Sequence, residues 1–173
     1  KEKWDLTVLD NPSQAEKLGA FETEDYTMDQ KDGWKNVTLP ASWTSYGFDH
    51  SIYTNTTMPF EEHVLFPEAP ESKNPVGLYR KEFNAAWNSD GRAHSVGALL
   101  HLCVQENGKI YITLGGVESA YYLYVNGVEA GYSEDSYDPH TFDITDLLHQ
   151  QGEKNLLAVK VIKFCDGTWL EDQ

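Results

Sequence analysis

Leu114-Gly115-Gly116-Val117-Glu118-Ser119-Ala120-Tyr121-Tyr122-Leu123-Tyr124-Val125-Asn126-Gly127-Val128-Glu129-Ala130-Gly131-Tyr132 is the stretch whose reading decides the fold of this 173-residue chain. An aromatic and β-branched run meets Asn126-Gly127, and a second short run follows. Asn-Gly tolerates positive φ at both central turn positions, so it suits the type I′ turn whose twist matches two flanking strands. Even and odd positions of residues 120–125 are all apolar or aromatic, so neither face reads as wet. The expectation is a hairpin whose first strand lies deep in a sheet, covered on both sides.

Working outward, Trp4, Leu6 and Val8 alternate with Asp5 and Thr7, the pattern of a half-buried strand. Asn11-Pro12 reads as an N-cap with proline at the first helical position, residues 13–18 as one or two helical turns, and Gly19 as their stop. The acidic residues 22–32 read as a solvated excursion. A second strand is expected over 34–39, stopped by Pro40. Strands follow over 77–84, 99–104, 109–114 and 156–164, with a short one at Phe142-Asp143-Ile144. Asn88-Ser89-Asp90-Gly91 and Gln105-Glu106-Asn107-Gly108 supply turn chemistry between them. Thr145 is placed to cap a helical turn through Leu148, with Gly152 ending it. Eight or nine strands without a βαβ rhythm predict an all-β fold: an antiparallel two-sheet jelly-roll sandwich with one or two short helical turns. The length and the lack of an interdomain linker predict one domain, residues 1–173.

Residues 41–75 break the pattern. Trp43, Tyr46, Phe48, Tyr53, Phe60 and Phe66 are scattered without a period, and Pro59, Pro67, Pro70 and Pro75 would each remove a ladder donor. A loop this long and aromatic is usually functional or pinned against a partner, so it is the first place to look for a site.

Composition narrows the partners. A formal net charge of −15 argues against nucleic acid and against anionic membrane surfaces, which recruit clustered Lys and Arg. A neutral ligand such as a sugar stays compatible. Aromatics are 13% of the chain, fitting either sheet packing or sugar stacking. No apolar run approaches the ~18 residues of a spanning helix. No hydrophobic segment follows Lys1-Glu2-Lys3-Trp4, so no signal peptide is read, and the compartment stays open between cytoplasm and a periplasmic or secreted location. Cys103 and Cys165 lack metal-ligand spacing and read as two thiols, with one disulfide as the open alternative. No phosphate loop, Cys/His metal set or nucleophile elbow is present. Adjacent acids such as Glu61-Glu62 do not supply the geometry of a glycosidase pair. Asn36-Val37-Thr38 and Asn55-Thr56-Thr57 match the short glycosylation sequon. The residues alone describe a β-sandwich without catalytic machinery.

Several stretches carry a resemblance. Pro40-Ala41-Ser42-Trp43 and Gly47-Phe48-Asp49 lead into Ile52-Tyr53-Thr54-Asn55-Thr56-Thr57-Met58-Pro59, and Asn74-Pro75-Val76-Gly77-Leu78-Tyr79-Arg80 opens a strand. Gly116-Val117-Glu118-Ser119-Ala120, Val125-Asn126-Gly127, Gly131-Tyr132 and Phe142-Asp143-Ile144 follow, and Asp166-Gly167-Thr168-Trp169-Leu170-Glu171-Asp172-Gln173 closes. Over residues 34–173 the chain resembles the amino-terminal sugar-binding domain of the β-galactosidases of glycoside hydrolase family 2. The resemblance implies a galactose-binding-like jelly roll beside an immunoglobulin-like domain and a TIM barrel, in an enzyme expected to be a homo-oligomer. The two catalytic glutamates and the magnesium site belong to that barrel, outside this chain, so the segment alone is expected to be inactive and without a cofactor of its own. The family's Asn that reaches into the galactose subsite matches Asn55, and Thr56 lines the same wall. The family's Asp that holds sodium and a galactose hydroxyl comes directly after Glu-Asp-Gln, one position past Gln173.

An amide at Asn55 suits the task, offering two donors and an acceptor to sugar hydroxyls that are both. Read without the resemblance, Asn55 serves equally as an Asx-turn residue. The sequence departs from the family's pattern in a longer link over 96–108, a loose match over 1–33, and Cys165 where a small polar residue is usual. Other readings are a free-standing carbohydrate-binding module stacking sugar on Trp43, Tyr46, Phe48 or Trp169, an oligomer interface, or the same domain in a β-glucuronidase or β-mannosidase.

Overall fold

Two antiparallel sheets pack face to face in the computed structural model, which describes residues 2–52, 57–60, 63–84, 100–104 and 108–170, with the backbone alone at positions 100, 101, 103 and 104. Its strands are β1 (Glu2–Leu9), β2 (Lys35–Leu39), β3 (Val76–Asn84), β4 (Leu100–Val104), β5 (Ile110–Leu114), β6 (Ala120–Val125), β7 (Val128–Ser133), β8 (His140–Asp143) and β9 (Lys154–Ile162), with helix α1 at Pro12–Leu18. One sheet has six strands in the order β2-β1-β3-β9-β6-β7, and the other has three in the order β4-β5-β8. The antiparallel sandwich expected from the sequence is therefore the architecture observed.

The core between the sheets follows from alternation. Trp4, Leu6, Phe83, Leu123, Val125, Leu157 and Val159 point inward from the larger sheet, and Ile110, Ile112 and Leu114 meet them from the smaller. Residues 105–107 and 88–91, where turns were expected, lie outside the described residues, and so does most of the 96–108 link. Gly108 holds φ +80°, as a turn residue at the start of β5 would.

The hairpin forms as expected, with Asn126 at φ 50° and Gly127 at φ 81° between β6 and β7. Its place differs from the expectation, because β6 is second from the edge and the central pair is β3 and β9. Tyr121, Leu123 and Val125 face the core, while Tyr122 is only half-buried on the other face.

That outer face is partly covered by rings within and on either side of the acidic stretch 22–32, which is itself largely exposed, as expected. Phe21 is buried and meets Tyr124 edge-on, with centroids 6.1 Å apart. Tyr26 and Trp34 pack on the same cluster, around Val76, Leu78 and Ala158. Buried Arg80 ties this layer down, donating from Nη1 to the carbonyls of Phe21 and Thr23. Most of residues 22–32 are exposed, and Tyr26 is the ring among them that packs on this cluster.

Helix α1 begins as expected, with the Asn11 side chain accepting the Gln14 N–H at 3.0 Å and Pro12 in the first turn. Thr145 departs from expectation. It begins a short 3-10 turn (Thr145–Leu147) rather than capping it, and its hydroxyl accepts the Ile110 N–H at 2.9 Å. Cys165 is a free, buried thiol. Among the described residues no helix is long and apolar enough to cross a membrane.

Candidate functional site

The loop between β2 and β3 is irregular throughout its described residues, apart from a 3-10 turn at Trp43–Tyr46. Ser42 caps that turn by accepting the Thr44 N–H, and Gly47 leaves it at φ 78°. Asp49 follows in the left-handed region at φ 53°, a conformation Asp and Asn enter more readily than most residues. The Asp49 side chain is 7% exposed and accepts a hydrogen bond from the Lys163 ammonium, itself 16% exposed, just past the end of β9. His50 Nδ1 lies 3.2 Å from the other carboxylate oxygen. Burial pushes the Asp49 carboxyl up, but hydrogen bonds from Lys163 and from the His50 backbone N–H outweigh it and hold it below the usual carboxylate range.

Asn74, 2% exposed, locks the next residue of that segment. Its Oδ1 accepts the Phe164 N–H at 2.9 Å, and its Nδ2 donates to the Phe164 and Pro70 carbonyls. Phe60 then packs edge-on against both Phe164 and Trp169, each at 5.2 Å between centroids. Phe66 meets Trp169 at 5.8 Å, and the indole N–H donates to the Glu68 carbonyl at 2.8 Å. The loop and the closing segment are therefore knitted together at one end of the sandwich. At this end lies a groove of about 380 Å³, lined by Asp10 and Asn11 as well as by Asp49, His50, Ile52, Pro59, Lys163 and Phe164.

Asn55 and Thr56 lie outside the described residues, as do Glu171, Asp172 and Gln173. Ile52 and Pro59, on either side of Asn55 in sequence, line the groove together with Lys163 and Phe164. The two stretches singled out in the sequence, 52–59 and 166–173, thus have described neighbours that meet. The sequence reading missed the Asp49–Lys163 pair. Its partners are 114 residues apart, and no local pattern announces such a contact.

The four rings considered as a stacking platform are engaged by the chain itself. Trp43 lies so close over Gly77 that a Cβ there would fall 2.6 Å from the indole. Tyr46 Oη accepts the Thr38 N–H at 2.7 Å, Phe48 sits under Lys35 Nζ at 4.3 Å, and Trp169 is held by Phe60 and Phe66. Of the two sequons, Asn36 bonds its own neighbour strand, donating to Asp5 Oδ1 at 3.2 Å, and Asn55 is outside the described residues.

Magnesium and sodium, implied by the resemblance for the parent enzyme, seek oxygen ligands. Among the described residues, the close set of potential ligands is Glu134, Cys165 and Asp166, with ligand atoms within 4.8 Å of one another. Its buried thiol receives a hydrogen bond from Ser119 Oγ at 3.1 Å. A soft sulfur centre does not suit either ion, so these residues are not assigned to them.

The family model described as "Glycosyl hydrolases family 2, sugar binding domain" matches residues 3–173, which extends the likeness through the first strand, the helix and the acidic stretch. The chain is 39% identical over 144 residues to a β-galactosidase of Priestia megaterium, covering 81% of this chain and 12% of that protein. It is 33% identical over 171 residues to a β-galactosidase of Pseudoalteromonas haloplanktis, covering 99% of this chain and 14% of that one. Among solved structures, a family 2 glycosyl hydrolase from Bacteroides cellulosilyticus superimposes with a TM-score of 0.56 at 20% identity, over 95% of this chain and 17% of the other. A β-glucuronidase from Ruminococcus gnavus gives 0.54 at 18% identity, over 92% and 20%. These two likenesses are of fold. The chain spans 12–14% of the length of the two curated relatives.

Proposed function

This chain belongs to the sugar-binding domain of the family 2 glycosyl hydrolases, and from that premise we propose that it is the amino-terminal domain of a retaining β-galactosidase acting on terminal β-galactosides such as lactose. The observation that carries the reading is 39% identity to a β-galactosidase over 81% of the chain. The β-glucuronidase likeness, at 18% identity, speaks for the fold and not for the substrate.

On this reading residues 1–173 form one domain that completes a galactose subsite shared with a catalytic barrel elsewhere in the polypeptide. Asn55 orients the non-reducing galactose by pairing its amide with ring hydroxyls, and Thr56 lines the same wall. A site built on such pairing rejects a sugar that lacks the hydroxyl, because the amide is then left unpaired. The acid/base and nucleophile carboxylates belong to the barrel and act through a glycosyl-enzyme. The partners of the domain are that barrel, an immunoglobulin-like domain, and further copies of the whole enzyme. Support from this chain is the groove whose lining includes Ile52, Pro59, Lys163 and Phe164 together with Asp10 and Asn11.

The test is a substrate panel on the full-length protein: o-nitrophenyl β-galactoside, p-nitrophenyl β-glucuronide and p-nitrophenyl β-mannoside. The galactoside is expected to be turned over with by far the highest kcat/KM, and the isolated 173-residue chain to turn over none of the three. Equal or better turnover of the glucuronide or mannoside would overturn the substrate assignment. Turnover by the isolated chain, surviving a contamination control, would overturn the division of labour.

A further inference from the structure

Asn126-Gly127 is chemically the least durable kind of dipeptide. Asparagine amides are thermolabile, and glycine, with no side chain, leaves the next backbone nitrogen open to approach the amide carbon. In the reaction the Gly127 nitrogen loses its proton and bonds to Asn126 Cγ, the Cγ–Nδ2 bond breaks, and ammonia leaves with that proton. Water then opens the cyclic imide on either side of its nitrogen. One opening gives aspartate. The other gives isoaspartate, whose main chain runs through the former side chain.

In the folded domain the amide is held at both ends. Oδ1 accepts the Leu156 N–H at 2.8 Å, while Nδ2 donates its two N–H to the Leu147 carbonyl and to Asn155 Oδ1, each at 2.8 Å. The Asn126 backbone N–H donates to the Leu156 carbonyl at 2.9 Å, so main chain and side chain are pinned to the same residue of β9. Asn155 is fully buried. Cγ meets the Gly127 nitrogen only after the side chain rotates, and rotation breaks the bonds at both ends of the amide. Reaction therefore needs local opening at this end of the hairpin, and its rate falls by the fraction of time the site is open.

The products do not fit the same partners. An aspartate at 126 sets an oxygen without a proton against the two acceptors that Nδ2 serves. An isoaspartate lengthens the main chain inside a two-residue turn, whose length fixes the register of β6 against β7.

We infer that Asn126 is a latent deamidation site, kept closed by its own hydrogen bonds, whose conversion undoes the β6–β7 hairpin.

The test follows conversion of Asn126 to aspartate and isoaspartate by peptide mass spectrometry, in the full-length protein aged at mildly alkaline pH. Folded wild type is expected to convert at least about a hundredfold more slowly than the same protein in urea, the protection of a site that reacts only when open. Asn155→Ala removes one partner of Nδ2 and should speed the folded conversion about tenfold, leaving the rate in urea unchanged. Val37→Ala cuts the core on β2, at the opposite edge of the six-stranded sheet, without removing a partner of the amide. It lowers global stability and should leave the folded rate within about twofold of wild type.

A folded rate within about threefold of the rate in urea would overturn the inference, because the site would then stand open. So would a wild-type rate for Asn155→Ala, or acceleration by Val37→Ala in step with its lost stability, which would make global unfolding the lock. The urea comparison and Val37→Ala decide the matter even where Asn155→Ala does not fold. Asn126→Asp, the product made directly, is expected to melt below wild type; a wild-type Tm there would overturn the claim on the hairpin.

Discussion

Asn126 joins two tasks in one side chain. Its backbone supplies the positive φ of the turn, and its amide reaches across the end of the sandwich. Oδ1 accepts the Leu156 N–H at 2.8 Å, while Nδ2 donates to the Leu147 carbonyl and to Asn155 Oδ1, each at 2.8 Å. Asn155 is fully buried and also accepts the His149 N–H at 2.9 Å. Asn126→Gly separates the tasks, because glycine adopts the turn freely but offers no amide. If the turn were the whole of its role, the change would be neutral. The expected result is a loss of about 2 kcal/mol in urea unfolding, from buried groups left unpaired. The turn itself was legible in the sequence, since Asn-Gly chemistry is local. The partners of the amide were not, because they lie 21 to 30 residues away.

At the scale of elements, periodicity was enough wherever one face of a strand is buried. Ile110, Ile112 and Leu114 announced β5, and Trp4, Leu6 and Val8 announced β1, because alternation reports the side facing the core. It could not rank β6 against β9, since both are apolar on two faces, and position in a sheet is fixed by pairing partners far along the chain. It gave no sign that Phe21, Tyr26 and Trp34 pack together on the outer face, because they follow no period. The smaller sheet carries its own electrostatic fastening. Asp143, on β8, receives hydrogen bonds from Lys109 first and then from the Thr145 hydroxyl and backbone N–H, which pull its carboxyl down to about 2. A carboxyl depressed in the folded state contributes stability above its unfolded pKa of about 4, and that contribution is lost as pH falls through the folded value. Wild type is therefore expected to have a higher urea midpoint than Asp143→Asn at pH 5. The gap should close by about pH 2, and it should narrow in salt, because the pair is exposed. A gap that persisted unchanged across that range would contradict this role for Asp143.

For the molecule as a whole, the decisive contacts join distant parts of the sequence at one end of the sandwich. Asp49 meets Lys163, Asn74 meets Phe164, and Phe60 meets Trp169, across separations that no local reading detects. Asn55 and Thr56 became candidates through a resemblance in short motifs, not through any property of the residues themselves. That resemblance extends over nearly the whole chain in the family match to residues 3–173. The net charge of −15 suits a neutral sugar and disfavours a polyanion, and it leaves the choice of sugar to the pocket. The claim that this domain completes a galactose subsite is tested most directly by Asn55→Ala in the full-length enzyme. Its kcat/KM for o-nitrophenyl β-galactoside is predicted to fall at least about tenfold with Tm unchanged, the loss of one hydrogen-bonding group on the sugar. Wild-type kcat/KM in that variant would contradict the account.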